Sequence, residues 1–98
     1  MRHETFPLDF KASVAAGDPQ ACENLVDKYV QLGGTFTATV AIEGRLHESM
    51  PWFAIATVSA VGMTAIPQTV KDIRLNTTAY TSSTNPVARL GGRQVRTE

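Results

Sequence analysis

The chain has 98 residues, with nine basic and nine acidic side chains and therefore no net formal charge at pH 7. Its length suits one domain, and its balanced charge argues against nucleic-acid binding, which usually requires a basic excess on one face. No apolar run approaches the roughly 20 residues of a membrane span and none follows the N-terminus as in a signal peptide, so we expect a soluble protein synthesised in the cytoplasm.

The first 25 residues show no strong periodicity and are predicted to form an extended N-terminal arm, residues 1–25. Within residues 5–10 apolar side chains recur two apart, which favours a short extended segment, and Pro7 would confine such a strand to the edge of a sheet. The sequence Gly-Asp-Pro at 17–19 indicates a turn. Cys22, the only cysteine, can form no internal disulfide and has no basic neighbour to lower its pKa, so we expect a buried thiol.

Residues 20–32 fit two patterns. Asp18 could cap a helix that begins at Pro19, because apolar side chains would then recur every four residues from Ala21. The alternative is a loop or a single helical turn through Asn24, followed by a strand from about Val26 to Leu32 that ends at two glycines. We favour the strand, and the choice between helix and strand over the first part of this segment stays open.

Residues 35–43 form the clearest element, because Phe36, Ala38, Val40 and Ile42 alternate with threonine, alanine and glutamate. Such alternation predicts an antiparallel strand with one buried side. A polar connection is expected over residues 44–51. Residues 52–58 are apolar at nearly every position, which predicts a central strand that is buried on both faces.

The remaining strands are predicted at residues 63–66, 70–80 and 87–90, with turns at 59–62 and 81–86. The glycine pairs at 33–34 and 91–92 fit turns at strand ends, which often need positive φ. Short strands separated by turns about every ten residues are typical of sandwiches and barrels. We therefore predict an all-β fold: a small antiparallel β-sandwich, jelly-roll or Ig-like, over residues 26–93, followed by a C-terminal tail at 94–98.

The sequence contains no recognisable set of catalytic or metal-binding residues. His3 and His47 are the only histidines, and neither stands at a spacing typical of metal ligands. Ser49 lies near His47 but not in the strand-turn-helix elbow of a nucleophile. Glu43 and Glu48 could form an acid/base pair only across a cleft, whereas a strand-end and a loop carboxylate are usually solvated. We predict a protein that is not an enzyme and that holds no cofactor and no metal.

Several aromatic and basic side chains are candidates for contacts with other molecules. Trp52 opens a predicted core strand and is expected to fill the sandwich; its alternative role is part of an aromatic platform for sugars. Tyr80 and Arg74 lie on the polar face of their predicted strand and could contact another protein. Arg89 and Arg93 lie close together near the end of the chain and could contact an acidic partner surface.

From about Asp27 to Arg93, the order and spacing of several motifs resemble a small β-sandwich module found in structural proteins of tailed bacteriophages. These motifs are Gly-Thr-Phe-Thr-Ala-Thr-Val at 34–40, Ile-Glu-Gly at 42–44 followed by a polar turn into Trp52, Ile-Pro at 66–67, Ile-Arg-Leu-Asn at 73–76, Thr-Ala-Tyr-Thr-Ser at 78–82 and Leu-Gly-Gly-Arg at 90–93. The resemblance covers roughly two thirds of the chain and implies a non-enzymatic component of a virus particle.

The chain departs from this module between Arg45 and Pro51. Modules of this kind usually have a Ser-x-Asp-Gly-x-x-Trp hairpin, whereas this chain has Arg-Leu-His-Glu-Ser-Met-Pro before Trp52. In a virion protein we expect this longer loop to contact a neighbour. The complete set of candidates for partner contact is Arg45, His47, Glu48, Met50, Arg74, Tyr80, Arg89 and Arg93.

A single module of this kind with an N-terminal extension looks most like a capsid decoration protein, also called a cement protein. The resemblance implies binding to the major capsid protein or to other virion proteins, assembly as a homo-oligomer, and a location in the virion after synthesis in the host cytoplasm. We expect no contact with nucleic acid or membrane. The alternatives are a tail or fibre component of the virion and a carbohydrate-binding module.

Overall fold

The computed structural model describes residues 2–94, except for the side chain of Arg2, and this part of the chain contains six strands and no helix. The strands are β1 (Arg2–Pro7), β2 (Gln20–Ala21), β3 (Leu25–Arg45), β4 (Phe53–Val58), β5 (Gly62–Ile66) and β6 (Asp72–Gln94). Every strand pair is antiparallel. The predicted small antiparallel all-β fold is therefore confirmed. Gln94, predicted to begin the tail, ends β6, and the rest of the predicted tail lies outside the described residues.

The two longest strands, β3 and β6, pair with each other along their whole length, from Leu25 opposite Gln94 to Arg45 opposite Asp72. The prediction of two shorter strands in each of these regions is wrong, because both glycine pairs and the expected turn at 81–86 lie within the long strands. The pairing instead shifts at four β-bulges. A bulge absorbs an extra residue and bends the strand without ending it.

The central bulge brings the backbones of Gly34 and Asn85 together. Both residues have positive φ, 81° for Gly34 and 49° for Asn85, and asparagine is one of the few residues other than glycine that tolerate this conformation. A Cβ on residue 34 would lie 2.2 Å from the carbonyl oxygen of Asn85. Only glycine therefore allows the two long strands to approach this closely at the bulge.

The outer edges of the β3–β6 ribbon carry the short strands. The free side of β3 pairs with β5 near Val30 and with β4 near Ile42, while the free side of β6 pairs with β1 and β2. The sheet order is β1-β6-β3-β4, with β2 on β6 and β5 on β3. The prediction that residues 52–58 form a central strand is wrong, because β4 is an edge strand and Phe53 is 69% exposed.

Alternate residues of β3 and β6 form the core on one face of the sheet. The largest fully buried side chains are Val30, Val40, Ile42, Ile66, Ile73, Leu75, Thr77 and Leu90. Cross-strand partners such as Ile42 and Leu75 lie side by side in this core, and full burial of each aliphatic side chain stabilises the fold by about 1.5–3 kcal/mol. The inward face predicted from the alternation of residues 35–43 is confirmed at Val40 and Ile42, whereas Phe36 is half-buried.

Most of the predicted N-terminal arm packs on the sheet of its own chain. Strand β1 pairs with the last residues of β6, so Pro7 does lie in an edge strand. The amide of Leu8 donates to the carbonyl of Ala88, and the amide of Gly17 donates to the carbonyl of Leu75. Leu8 and Cys22 belong to the core. The sequence left open whether residues 20–30 form a helix or a strand. In the structure this segment contains β2 and the start of β3, and it contains no helix.

Candidate functional site

The C-terminal end of β3 and the start of β6 carry two cross-strand ion pairs on the face opposite the core. Glu43 lies opposite Arg74, and Arg45 lies opposite Asp72. The Nε of Arg74 donates to Glu43 Oε1 at 2.7 Å, and the Nε of Arg45 donates to Asp72 Oδ2 at 2.9 Å. Asn76 also donates to Glu43, at 3.2 Å. Because these groups are half-buried or buried, their hydrogen bonds fix the side chains in place.

Trp52 lies against both arginines of this cluster. Its ring centre is 4.3 Å from Cζ of Arg45 and 4.5 Å from Cζ of Arg74, which are distances of cation–π contacts. The prediction that Trp52 fills the core is wrong. Side chains alternate between the two faces of β3 and β6, so Arg45 and Arg74 lie on the face opposite the core residue Ile42, and Trp52 packs against them on that face. The ring instead fastens the residues before β4 to the outer face of the sheet.

The loop that joins β3 to β4 is held by hydrogen bonds near its middle. Nη1 of Arg45 donates to the carbonyl of Glu48 at 3.3 Å, and the amide of Met50 donates to the carbonyl of His47 at 2.9 Å. His47 Nδ1 accepts the Ser49 amide at 3.1 Å and lies 2.9 Å from Ser49 Oγ. Both side chains are exposed, and no described hydrogen bond joins either of them to a carboxylate, so this contact shapes the loop rather than assembling a triad.

Three large apolar side chains are exposed at this end of the molecule, and we call them the tip patch: Leu46, Met50 and Phe53, with exposures of 67%, 49% and 69%. They line a pocket of about 310 Å³ whose floor includes Gly44, Ile55 and Val70. Exposed apolar groups that cluster around a concave site are typical of a protein-binding surface. Sequence reasoning found Met50 but missed Leu46, and it missed Phe53 because that residue was assigned to a buried strand.

The structure gathers five of the eight predicted contact residues around the β3–β4 loop: Arg45, His47, Glu48, Met50 and Arg74. The other three lie elsewhere. Tyr80 is half-buried with its hydroxyl 2.8 Å from Ser83 Oγ. Arg89 and Arg93 lie on the end of β6 that pairs with β1, where Arg89 donates to the Thr5 hydroxyl at 3.1 Å and Arg93 forms an ion pair with Asp27.

Among the described residues, the groups with shifted pKa values are Cys22, Asp9 and Lys11, and none of their side chains lines the pocket of the tip patch. Burial raises the pKa of the Cys22 thiol to about 11, and its Sγ contacts the Val70 carbonyl at 3.5 Å. A hydrogen bond from the Asp18 amide lowers the pKa of Asp9, and the carboxylate of Asp9 in turn raises the pKa of Lys11. Cys22 is therefore protonated at neutral pH, which makes it a poor nucleophile.

Within residues 2–94, no three histidine, cysteine, aspartate or glutamate side chains lie close enough to hold a metal ion together. The same part of the chain contains no helix that is long and apolar enough to cross a membrane.

Comparison with known proteins gave no relative: no family model, no curated protein and no solved structure matches the chain.

Proposed function

We propose that the protein is a non-enzymatic structural protein of a bacteriophage virion, most specifically a capsid decoration protein that binds the major capsid protein. The observation that carries the proposal is the tip patch, two of whose three residues, Leu46 and Met50, lie in the loop where the sequence departs from the phage module that it resembles. An exposed apolar surface on a small domain favours binding over solvation, because covering it removes apolar area from water.

The tip patch is supported by a rigid base. Arg45 bonds to Asp72 in β6 and to the Glu48 carbonyl in the loop, while Trp52 contacts Arg45 and Arg74. A loop that is already ordered loses less conformational entropy on binding than a flexible loop. This arrangement suits a permanent contact with a fixed partner such as a shell.

The charged residues around the tip patch favour a partner with a mixed surface. His47 and Glu48 are exposed beside Leu46 and Met50, whereas Arg45 is engaged within its own chain. The proposed interface therefore has an apolar centre and a polar rim, which is the common composition of a protein–protein contact. Assembly as a homo-oligomer on the shell belongs to the same proposal.

The carbohydrate-binding alternative has lost its main support. That hypothesis relied on an exposed tryptophan face for sugar stacking, but Trp52 is half-buried and contacts two guanidinium groups. The tip patch is equally compatible with a tail or fibre component and with a shell component. The number of copies per particle distinguishes these two locations.

The decisive experiment is to measure copy number by quantitative mass spectrometry of virus particles from cells that carry the encoding genome. A decoration protein is expected in hundreds of copies, in a fixed ratio to the major capsid protein. A handful of copies that separate with tails would move the assignment to the tail. Absence of the protein from intact particles would contradict the proposal altogether.

A further inference from the structure

One whole side of the sheet lacks charged side chains. The sequence contains no Asp, Glu, Lys or Arg from Ser49 to Val70, a stretch that includes all of β4 and β5. Both strands pair with the same side of β3, β5 with Lys28 to Leu32 and β4 with Val40 to Gly44, so the uncharged stretch lies along one edge of the sheet in two parts. We call β4 and β5 together the uncharged edge.

The outward side of the uncharged edge has no backbone partner among the described residues. Strand β4 pairs only with β3, through Val40 to Gly44, and the described backbone hydrogen bonds outside the strand ladders include none from β4 or β5. An edge strand of six residues thus offers unpaired amide and carbonyl groups over about 20 Å. Exposed apolar side chains, Val61 and Met63, lie along the same edge.

The opposite edge of the sheet is protected in the usual way. Strand β1 contains His3, Glu4 and Pro7, and charges and proline on an edge strand discourage pairing with other chains. One edge of the sheet thus carries residues that discourage pairing, and the other edge does not. This contrast indicates that the outer side of β1 must remain without a partner, whereas the uncharged edge need not. A bare edge that is both apolar and uncharged would promote aggregation, so the uncharged edge requires a cover.

We propose that β4 pairs antiparallel with β4 of a second copy of this chain, across a two-fold axis. In a contact of this symmetry the same patch meets itself, so any charge on the strand would lie near the same charge of its partner. A strand without charges complements itself, whereas a charged partner protein would find no ion pairs here. The two sheets would join into one continuous sheet with a shared backbone ladder.

The area that β4 alone could bury is too small for a stable dimer, so residues outside this strand must also take part in the contact. A stable interface buries about 800 Å² on each partner, which is more than one six-residue strand supplies. Val61 and Met63, the exposed apolar residues that follow β4 in the chain, would supply the additional apolar area. This contact shares Phe53 with the tip patch, because Phe53 is the first residue of β4, but it leaves Leu46 and Met50 outside the paired strand. It does not depend on the identity of a particle partner.

The test is sedimentation velocity of the purified full chain over a dilution series. The wild-type protein is expected to be a dimer that dissociates on dilution. Thr57→Lys and Ala54→Lys each place a lysine at an exposed position of β4 and are expected to weaken dimerisation by about tenfold or more. Ser13→Lys adds the same charge in the exposed loop between β1 and β2 and should leave the dimer unchanged.

Circular dichroism of each variant checks that the strands remain folded. If either lysine in β4 unfolds the domain, amide hydrogen exchange of the wild type decides instead, since exchange within β4 should slow as the concentration rises into the dimer range. A wild-type monomer at every concentration would overturn the proposal. So would a dimer that both folded β4 variants retain, or a series of ever larger species without a stable dimer. Loss of particle binding by a protein that still dimerises would contradict only the proposed function.

Discussion

The guanidinium of Arg74 lies 4.5 Å from the ring centre of Trp52 while its Nε remains hydrogen-bonded to Glu43 at 2.7 Å. One side chain thus links β6 to β3 through an ion pair and to the residues before β4 through an aromatic ring. Arg45 repeats the arrangement with Asp72 and the same ring. The base of the β3–β4 loop is consequently fixed by side chains from the end of β3, from the start of β6 and from the residue that precedes β4.

Replacing Trp52 should loosen this base. Trp52→Ala removes two cation–π contacts, each worth about 0.5–2 kcal/mol, and we expect the free energy of unfolding to fall by about 2–3 kcal/mol. Urea unfolding followed by far-ultraviolet circular dichroism measures the change. Trp52→Phe keeps an aromatic face and should recover at least half of the loss. Equal stability of the alanine variant and the wild type would show that the ring contributes nothing to the fold.

The tip patch should carry particle binding without contributing to stability. We expect Leu46→Ser or Met50→Ser to weaken binding to particles assembled without this protein by about tenfold. The unfolding free energy should change by no more than about 0.5 kcal/mol, because both side chains are largely exposed. Val14→Ser is the matched control, since Val14 is as exposed as Leu46 but lies in another loop. Equal binding by all three variants would exclude the tip patch as the docking surface.

The central bulge should tolerate no side chain at residue 34. Gly34→Ala would place a Cβ against the Asn85 carbonyl oxygen and would also force alanine into positive φ. We expect a loss of about 2 kcal/mol or more, measured by urea unfolding. At Gly91 the nearest atom to an added Cβ is 3.4 Å away, so Gly91→Ala should be tolerated. Similar effects at both positions would refute the close approach at the bulge.

Thr77 should be the most important polar residue of the core. It is fully buried, its Oγ1 donates to the Lys11 carbonyl at 3.1 Å and its amide donates to the Ala15 carbonyl at 3.0 Å. Thr77→Val keeps the shape but leaves the Lys11 carbonyl without this donor, so we expect a loss of about 1–3 kcal/mol. Thr78→Val, which removes an exposed bond to Thr39, should cost less than half as much. Thermal unfolding of both variants checks the difference.

Cys22 should make stability depend on pH in the alkaline range. Burial raises the pKa of its thiol from 9.0 to about 11 in the folded chain, so the unfolded chain releases this proton first. The contribution of the protonated thiol to stability is complete below pH 9. As pH rises from about 9 to about 11 this contribution is lost, and the free energy of unfolding falls by up to about 2 kcal/mol. The comparison is urea unfolding of the wild type and Cys22→Ala at pH 8 and pH 11, in which groups common to both chains cancel. Parallel pH profiles would contradict the raised pKa.

The residues that the structure gathers around the β3–β4 loop could be predicted from the sequence only in part. Arg45, His47, Glu48 and Met50 were proposed because the loop interrupts a motif, and Arg74 because it lies on a polar face. Phe53 was missed because an apolar run indicates burial without saying which neighbours cover it. The partners of the arginines could not be predicted, since cross-strand register depends on bulges that local composition does not reveal.

By itself the sequence determined the all-β class and the inward face of residues such as Val40 and Ile42, because a strand alternates its side chains between two faces whatever its neighbours are. Only the tertiary structure decided that β3 and β6 each continue past their glycines, since the long-range ladder holds a strand together across a bulge. It also decided that β4 lies at an edge and that Trp52 lies outside the core. These outcomes depend on which strands pair, and pairing is a property of the whole chain rather than of any local pattern.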